Sequence, residues 1–323
     1  MEEYAAVVIP ACINSEARMN YLYQTLESVS QQTFPTIALI VDDSSTFDVQ
    51  KLVTDCNCND RLRYVHRQKL DSDSGSSSEA VNLGLDLVLD KSQDIFSNNE
   101  KDNIVGVCYL HSDDMLPADS VEARVNELDK SGFVYGLENQ IDGEGNFKCI
   151  KSIPYLRIDA EGFPHHTGMW SFDMLSALRD YAMDKYGQEG VFDNCLSACE
   201  DRDVSISTYK LLKKLGKKPI MVPSLTYIYR EHDDSISGNL TKKANKDAKR
   251  RVKMKHKVYM SPQYYLPDEI IRENIMREKI ISRISADLPW SLFTFLPEPF
   301  KVRLRGVRDK IKDTIALSHQ TSD

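Results

Sequence analysis

The chain has 323 residues, 41% of them hydrophobic and 28% charged, with a formal net charge of −8. That length suffices for a large core and for more than one compact domain. The acidic balance argues against a dedicated nucleic-acid binder, and the composition is that of a soluble globular protein.

The start, "MEEYAAVVIPAC", has no basic n-region and too short an apolar run for a secretory signal. No stretch reaches the ~18 uninterrupted apolar residues of a membrane span. Seven cysteines, Cys12, Cys56, Cys58, Cys108, Cys149, Cys195 and Cys199, are scattered and odd in number. That is not a disulfide framework, and no His or further Cys completes a zinc pattern around them. The expectation is free thiols and a reducing, cytoplasmic setting.

Tyr4 to Pro10 is a short apolar run closed by proline and reads as a buried strand. Leu22, Leu26 and Val29, spaced by four and three, predict a helix after it. "TIALIVDDSS" is a second buried strand ending in carboxylates and hydroxyls. "FDVQKLVTDC" reads as a short helix and "LRYVHR" as a third strand. "LDSDSGSSS" is a polar loop. "EAVNLGLDLVLD" is a helix with Val81, Leu85 and Val88 on one face. "IVGVCYL" is a fourth buried strand, running into "LHSDDMLP". Asp119 to Leu128 reads as a helix with Asp119 at its N-cap, and "FVYGLENQID" as a strand entering the turn "GEG". No internal repeat is seen.

Nearly all-apolar strands alternating with helices indicate an α/β protein with a mainly parallel sheet covered on both faces. Ligands of such sheets bind beyond the carboxyl ends of the strands. Two strand ends carry carboxylate pairs, Asp42-Asp43 and Asp113-Asp114, so both pairs are expected on one rim. Adjacent carboxylates raise each other's pKa unless a cation lies between them and a ligand. Oxygen-only sites suit Mg²⁺ or Mn²⁺. From spacing alone, Asp113-Asp114 equally suits a loop or helix cap. Glu200-Asp201 opens the helical run "DRDVSISTYKLLKKL", where first-turn carboxylates favour the macrodipole without any catalysis.

Several segments together resemble the family 2 glycosyltransferases, whose nucleotide-sugar-binding domain is the GT-A fold. These are "VVIP", "LESVSQQTFPTIALIVDDSS", "EAVNLGLDL", "LHSDDMLP", "CEDRDVSIS" and "YIYREHDDSIS", in the family's order across residues 4 to 238. The resemblance implies a GT-A (Rossmann-like) sheet flanked by helices. It implies a sugar moved from a nucleoside-diphosphate donor, UDP-linked first of all, to a hydroxyl of a glycan or lipid-linked acceptor, with Mn²⁺ or Mg²⁺ and inversion at the anomeric carbon. Residue by residue, it gives Asp43 to the nucleobase, with Pro10 and Ala11 lining that pocket and Asn82 on the nucleotide side. Asp113 goes to the ribose or to the metal's outer shell, Asp114 to the metal, and His232 to metal or diphosphate. Asp201 becomes the catalytic base, with Glu200 beside it near the acceptor. The alternative is a non-catalytic module of the same fold. A nucleotidyltransferase would want glycine and lysine after the first strand, and "PACINSEARMN" has neither.

The chain departs from the family pattern in three places. His111 stands where an aspartate usually precedes the pair. Glu79-Ala80-Val81 precedes Asn82 without the usual arginine, so a cation near the base must come from Arg67 or Lys69 or be missing. The turn from Pro10 to Gln32 is longer than usual. His165-His166 suits acceptor, diphosphate or plain solvent, and Trp170 suits a sugar platform or the core.

After about Gly238 the character changes. "TKKANKDAKRRVKMKHK" holds nine Lys or Arg against one Asp, and amphipathic and aromatic stretches follow. Residues 239–323 are therefore expected to form a separate C-terminal helical extension beyond a 1–238 transferase domain. Its basic run reads as a solvated helix face, and the extension as a peripheral membrane contact or a homodimer surface.

Overall fold

The structure, a computed structural model, describes residues 2–56, 59–68, 77–90, 92, 94–151, 168–196, 198–233, 235 and 242–256. These lie in one compact unit, Met1–Tyr259. His165, His166, Lys69 and residues 257–323 are outside the described residues, as are residues 236–241, where the expected domain boundary falls.

Among the described residues, eight strands form one sheet in the order β3-β2-β1-β4-β7-β5-β6, with β8 paired to β5. They are β1 (Tyr4–Ala11), β2 (Thr36–Asp43), β3 (Leu62–Arg67), β4 (Ile104–Tyr109), β5 (Phe133–Asp142), β6 (Phe147–Lys151), β7 (Met169–Ser171) and β8 (Ile220–Glu231). The β3-β2-β1-β4 half is parallel throughout, as are β5 and β8. The short β7 runs antiparallel between β4 and β5, and β6 returns antiparallel on β5. The sheet is thus mainly parallel with an antiparallel insertion.

Alternation along β1 assigns the two faces. Ala6 and Val8, with Leu39 and Val41 of β2, pack under α3 (Ser78–Leu89), α6 (Phe172–Tyr186) and α7 (Glu200–Lys214). Ala5, Val7 and Ile9, with Ala38 and Ile40, pack under α1 (Glu16–Ser30), α2 (Val49–Asp55) and α5 (Ser120–Ser131). Both faces being covered explains why β2 is buried at all eight positions. Gly84 lets α3 come down on β1, since a Cβ there would lie 2.4 Å from Val8 Cγ1.

Local chemistry sets the helix ends. Ser15 accepts the Arg18 N–H and starts α1, and Ser171 does the same for Met174 in α6. Ser97 and Glu100 form a reciprocal capping box on the short α4 (Asn98–Asn103). Asp119 occupies the N-cap of α5, but its side chain accepts no cap hydrogen bond. The basic α8 (Lys242–His256) completes the described elements, with Val252 packed on Leu196 of the loop before α7 and Ile206 of α7.

Candidate functional site

The parallel strands β1, β2, β3 and β4 end at one edge of the sheet. In the β2–β3 register, Asp43 lies opposite Arg67 and Asp42 opposite His66. Arg67 donates to Asp43 in a close ion pair whose side chains are 13% and 7% exposed. β3 thus sets a cation beside Asp43. Asp42 is turned to the frame: Oδ1 accepts the Ser45 N–H at 3.0 Å and Oδ2 the Tyr64 hydroxyl at 2.7 Å. Burial, then that bond to Asp42, pushes the Tyr64 hydroxyl far above its ordinary pKa. Pro10 and Ala11, buried at the end of β1, pair with Val41 and Asp42 and floor this corner.

The second pair divides in the same way. Asp114 is 1% exposed. Its Oδ2 accepts the Tyr227 hydroxyl and its Oδ1 the Arg230 N–H, each at 2.7 Å. Burial, and then the charge of Asp113, push its carboxyl well above the usual carboxylate range, against the pull of those donors. Asp113 keeps 24% of its side chain exposed, with Oδ2 2.8 Å from His232 Nε2. Burial works against its ionisation, but the His232 hydrogen bond, then the charges of His111, His232 and Arg18, hold it below the usual range. Asp113 is thus the more open member of the pair, with His232 held against it.

Sequence reasoning did not single out Arg230, the centre of this corner. It is 3% exposed. Its Nε donates to the Asp113 carbonyl at 3.0 Å, one Nη to the Gly143 carbonyl at 3.3 Å and the other to Gln24 Oε1 at 2.6 Å. The guanidinium lies 4.5 Å from the centre of the Tyr21 ring, and that ring lies 5.0 Å from His232. Its signal was the run "YIYREH", read only for the histidine.

Glu200 and Asp201 head α7 and are half-buried. Cys199, just before them, takes a left-handed conformation at φ 63 and gives no side-chain cap. Asp201 Oδ1 accepts the Arg202 N–H, and the Asp201 carbonyl accepts the Ser205 hydroxyl at 2.9 Å. Tyr109, at the end of β4, joins this group to the rim electrostatically. Burial raises its hydroxyl pKa first, followed by the charges of Asp201, Glu200 and Asp114. All three carboxylates therefore lie within electrostatic reach of one hydroxyl.

No family model matches the sequence. An uncharacterized glycosyltransferase of Rickettsia bellii is 26% identical over 206 residues, 62% of this chain and 26% of that one. One of Rickettsia felis is 27% identical over 137 residues, 42% and 20% of the two chains. The chain thus spans about a quarter of the length of these curated relatives. Among solved structures, S. aureus TarS 1–349 in complex with UDP-GlcNAc superposes with a TM-score of 0.54 at 16% identity, over 90% of this chain and 77% of that one. Its complex with UDP gives a TM-score of 0.53 at 16% identity, over 99% and 92%. The chain has the GT-A glycosyltransferase fold.

On this GT-A frame the expected residues fall into two groups. Asp43, Asp113, Asp114 and His232 stand at the strand ends, and Glu200, Asp201 and Asp114 all raise the Tyr109 hydroxyl pKa. Asn82 instead braces a loop: its Nδ2 donates to the Phe192 carbonyl and to Asn194 Oδ1, both at 2.8 Å, and its Oδ1 accepts the Phe192 N–H at 2.9 Å. Trp170 belongs to the core, 1% exposed, with its indole N–H on Thr208 at 3.1 Å. Among the described residues, no cluster of three or more His, Cys, Asp or Glu is assembled for a metal, and Cys12, Cys108, Cys149, Cys195 and Cys199 are free thiols. No helix among them is long and apolar enough to cross a membrane.

Proposed function

We propose that this chain is an inverting, metal-assisted glycosyltransferase of the family 2 type, moving a hexosyl group from a UDP-sugar to a hydroxyl of a glycan or lipid-linked acceptor. The observation that carries the reading is the pairing of Asp43 with Arg67 and of Asp113 with His232 on the rim where the parallel strands end, with Glu200, Asp201 and Asp114 all bearing on the Tyr109 hydroxyl. TarS, of the same fold, has been seen with UDP-GlcNAc and with UDP, which favours a uridine donor.

The donor set fits Mg²⁺ or Mn²⁺ held by few protein atoms. Asp113 would offer an ionised, partly open carboxylate, and His232 would join it as a ligand only by giving up its hydrogen bond to that carboxylate. Asp114 has both oxygens on internal donors and serves as the support of that pair. A bound cation would neutralise charge on the departing diphosphate.

The chain's own residues supply the rest. Asp43, oriented by Arg67, accepts from the base over the floor of Pro10 and Ala11. The Asp201 carboxylate takes the proton of the attacking hydroxyl, whose own pKa is far above neutral. The bond from the anomeric carbon to the diphosphate breaks as the new one forms on the opposite face, which inverts the centre. Glu200 lies next to the base on the acceptor side. The contact surface proposed for residues 239–323, a membrane face or a homodimer, goes with a lipid-linked acceptor.

Titration calorimetry with UDP and GDP, with and without Mn²⁺, tests the donor half. UDP is expected to bind more tightly than GDP, and to lose roughly tenfold or more in affinity on chelation or in Asp113→Ala. Affinity unchanged by both treatments would overturn the metal assignment.

A further inference from the structure

We infer that Lys255 and His256, at the end of α8, are positioning residues for the Glu200-Asp201 head of α7 and the loop before it. The inference rests on the proposed role of Asp201.

The cluster is built around two fully buried side chains, Asp203 and His256. Lys255 Nζ donates to Asp203 Oδ2 at 2.8 Å, Asp193 Oδ2 at 2.6 Å and Gln188 Oε1 at 2.7 Å, and lies 4.9 Å from the centre of the Tyr186 ring. His256 Nε2 lies 2.7 Å from Asp203 Oδ1, and its Nδ1 3.0 Å from the Tyr186 hydroxyl. Lys210 donates to the His256 carbonyl at 2.6 Å. The side chains of Asp203 and His256 are 0% exposed. One lysine therefore ties together the end of α6, the 188–193 loop and the first turn of α7.

That turn needs an external hold. Its N-cap, Cys199, is left-handed at φ 63 and supplies no side-chain cap. A non-glycine residue keeps such a conformation only where its surroundings over-determine it. Asp203, two residues after Asp201, is gripped by both Lys255 and His256. The loop is gripped from the other side by Asn82 on Phe192 and Asn194, so closely that a Cβ on Gly190 would lie 2.4 Å from the Asn82 amide. Phe192 in turn packs edge-on to Tyr109, 5.0 Å between ring centres. A contact path thus runs from α8 to the strand end facing the carboxylates. Paired carboxylates at a helix head would drift without it, and a displacement of ~1 Å at a reacting group costs about a hundredfold in rate.

The test uses the full chain as wild type, Lys255→Met, Lys255→Arg and His256→Gln. It measures donor hydrolysis with Mn²⁺, calorimetric UDP affinity, and amide hydrogen exchange by peptide. Lys255→Met is expected to lower turnover by about a hundredfold with UDP affinity within about twofold, and to raise exchange within residues 188–206 while leaving β1 and β2 protected. Lys255→Arg should recover most of the turnover, and His256→Gln should fall between. Wild-type turnover in Lys255→Met overturns the inference, as does exchange that rises equally across β1 and β2. If wild type hydrolyses no donor, the proposed role of Asp201 fails on its own. The exchange arm then decides the positioning, and unchanged exchange in 188–206 of Lys255→Met overturns it.

Discussion

Removing Asp114 should damage folding first and ligand binding second, the reverse of Asp113. Asp114→Ala leaves the Tyr227 hydroxyl and the Arg230 N–H without their acceptor in a site where the aspartate is 1% exposed. Each buried donor left unsatisfied costs about 1–3 kcal/mol, so the two together cost about 2–6 kcal/mol. That is a large part of the ~5–15 kcal/mol by which a domain is stable. Asp114→Asn keeps one acceptor oxygen and should lose about half as much. Asp113→Ala leaves one group, the His232 ring nitrogen, without its partner and should cost about 1–3 kcal/mol, half the loss of Asp114→Ala. Equilibrium urea unfolding with the slope held constant reads these differences. Stability within about 0.5 kcal/mol of wild type in Asp114→Ala would refute the division of labour between the two carboxylates.

Other consequences are independent of it. Arg67→Met strips Asp43 of its partner and is expected to weaken UDP binding roughly tenfold while leaving the Mn²⁺ dependence intact, by calorimetry. Glu100 is pushed up by burial, but the Ser97 N–H and hydroxyl and then Arg63 outweigh this and hold its pKa below the ordinary carboxylate value. Its folded-state pKa being depressed, it stabilises above the unfolded value of about 4.3 and ceases to as pH falls through the folded one. The stability gap between wild type and Glu100→Gln should therefore be constant from pH 6 to 8 and close below about pH 4. The Cys199 thiol is pushed up to about 11, by burial and then by the Asp201 charge. At pH 8 it should alkylate roughly a hundredfold more slowly than the thiol of a short unstructured peptide, and faster in Asp201→Asn. Equal rates in the two proteins would separate Asp201 from Cys199.

The parallel half of the sheet was legible because its strands are apolar on both faces. "AAVVIPA" and "TIALIVDD" stand out as continuous runs and become β1 and β2. β7 and β8 were not. β7 is three residues long, and β8 carries Pro223 and alternates irregularly between buried and exposed positions. At the rim, the carboxylate pairs were visible as pairs, but which member faces outward depends on partners far along the chain, Tyr64 for Asp42 and Tyr227 and Arg230 for Asp114. The basic run was read as a solvated face. Lys246, Lys249, Arg250 and Arg251 are indeed exposed, whereas Lys255 and His256 turn inward to Asp203. Charge density alone cannot separate those two fates.

The central claim, that Asp201 does chemistry at a nucleotide-sugar site, is tested most directly by hydrolysis of a panel of nucleotide sugars with Mn²⁺, comparing wild type with Asp201→Asn. Hydrolysis needs no knowledge of the acceptor. Wild type is expected to release UDP from at least one uridine donor, and Asp201→Asn to do so ~10²–10⁴-fold more slowly at unchanged UDP affinity. Near wild-type release by Asp201→Asn would move the base elsewhere, to Glu200 first. A wild-type protein that binds UDP and releases none from any donor would contradict the claim and leave a nucleotide-sugar-binding module.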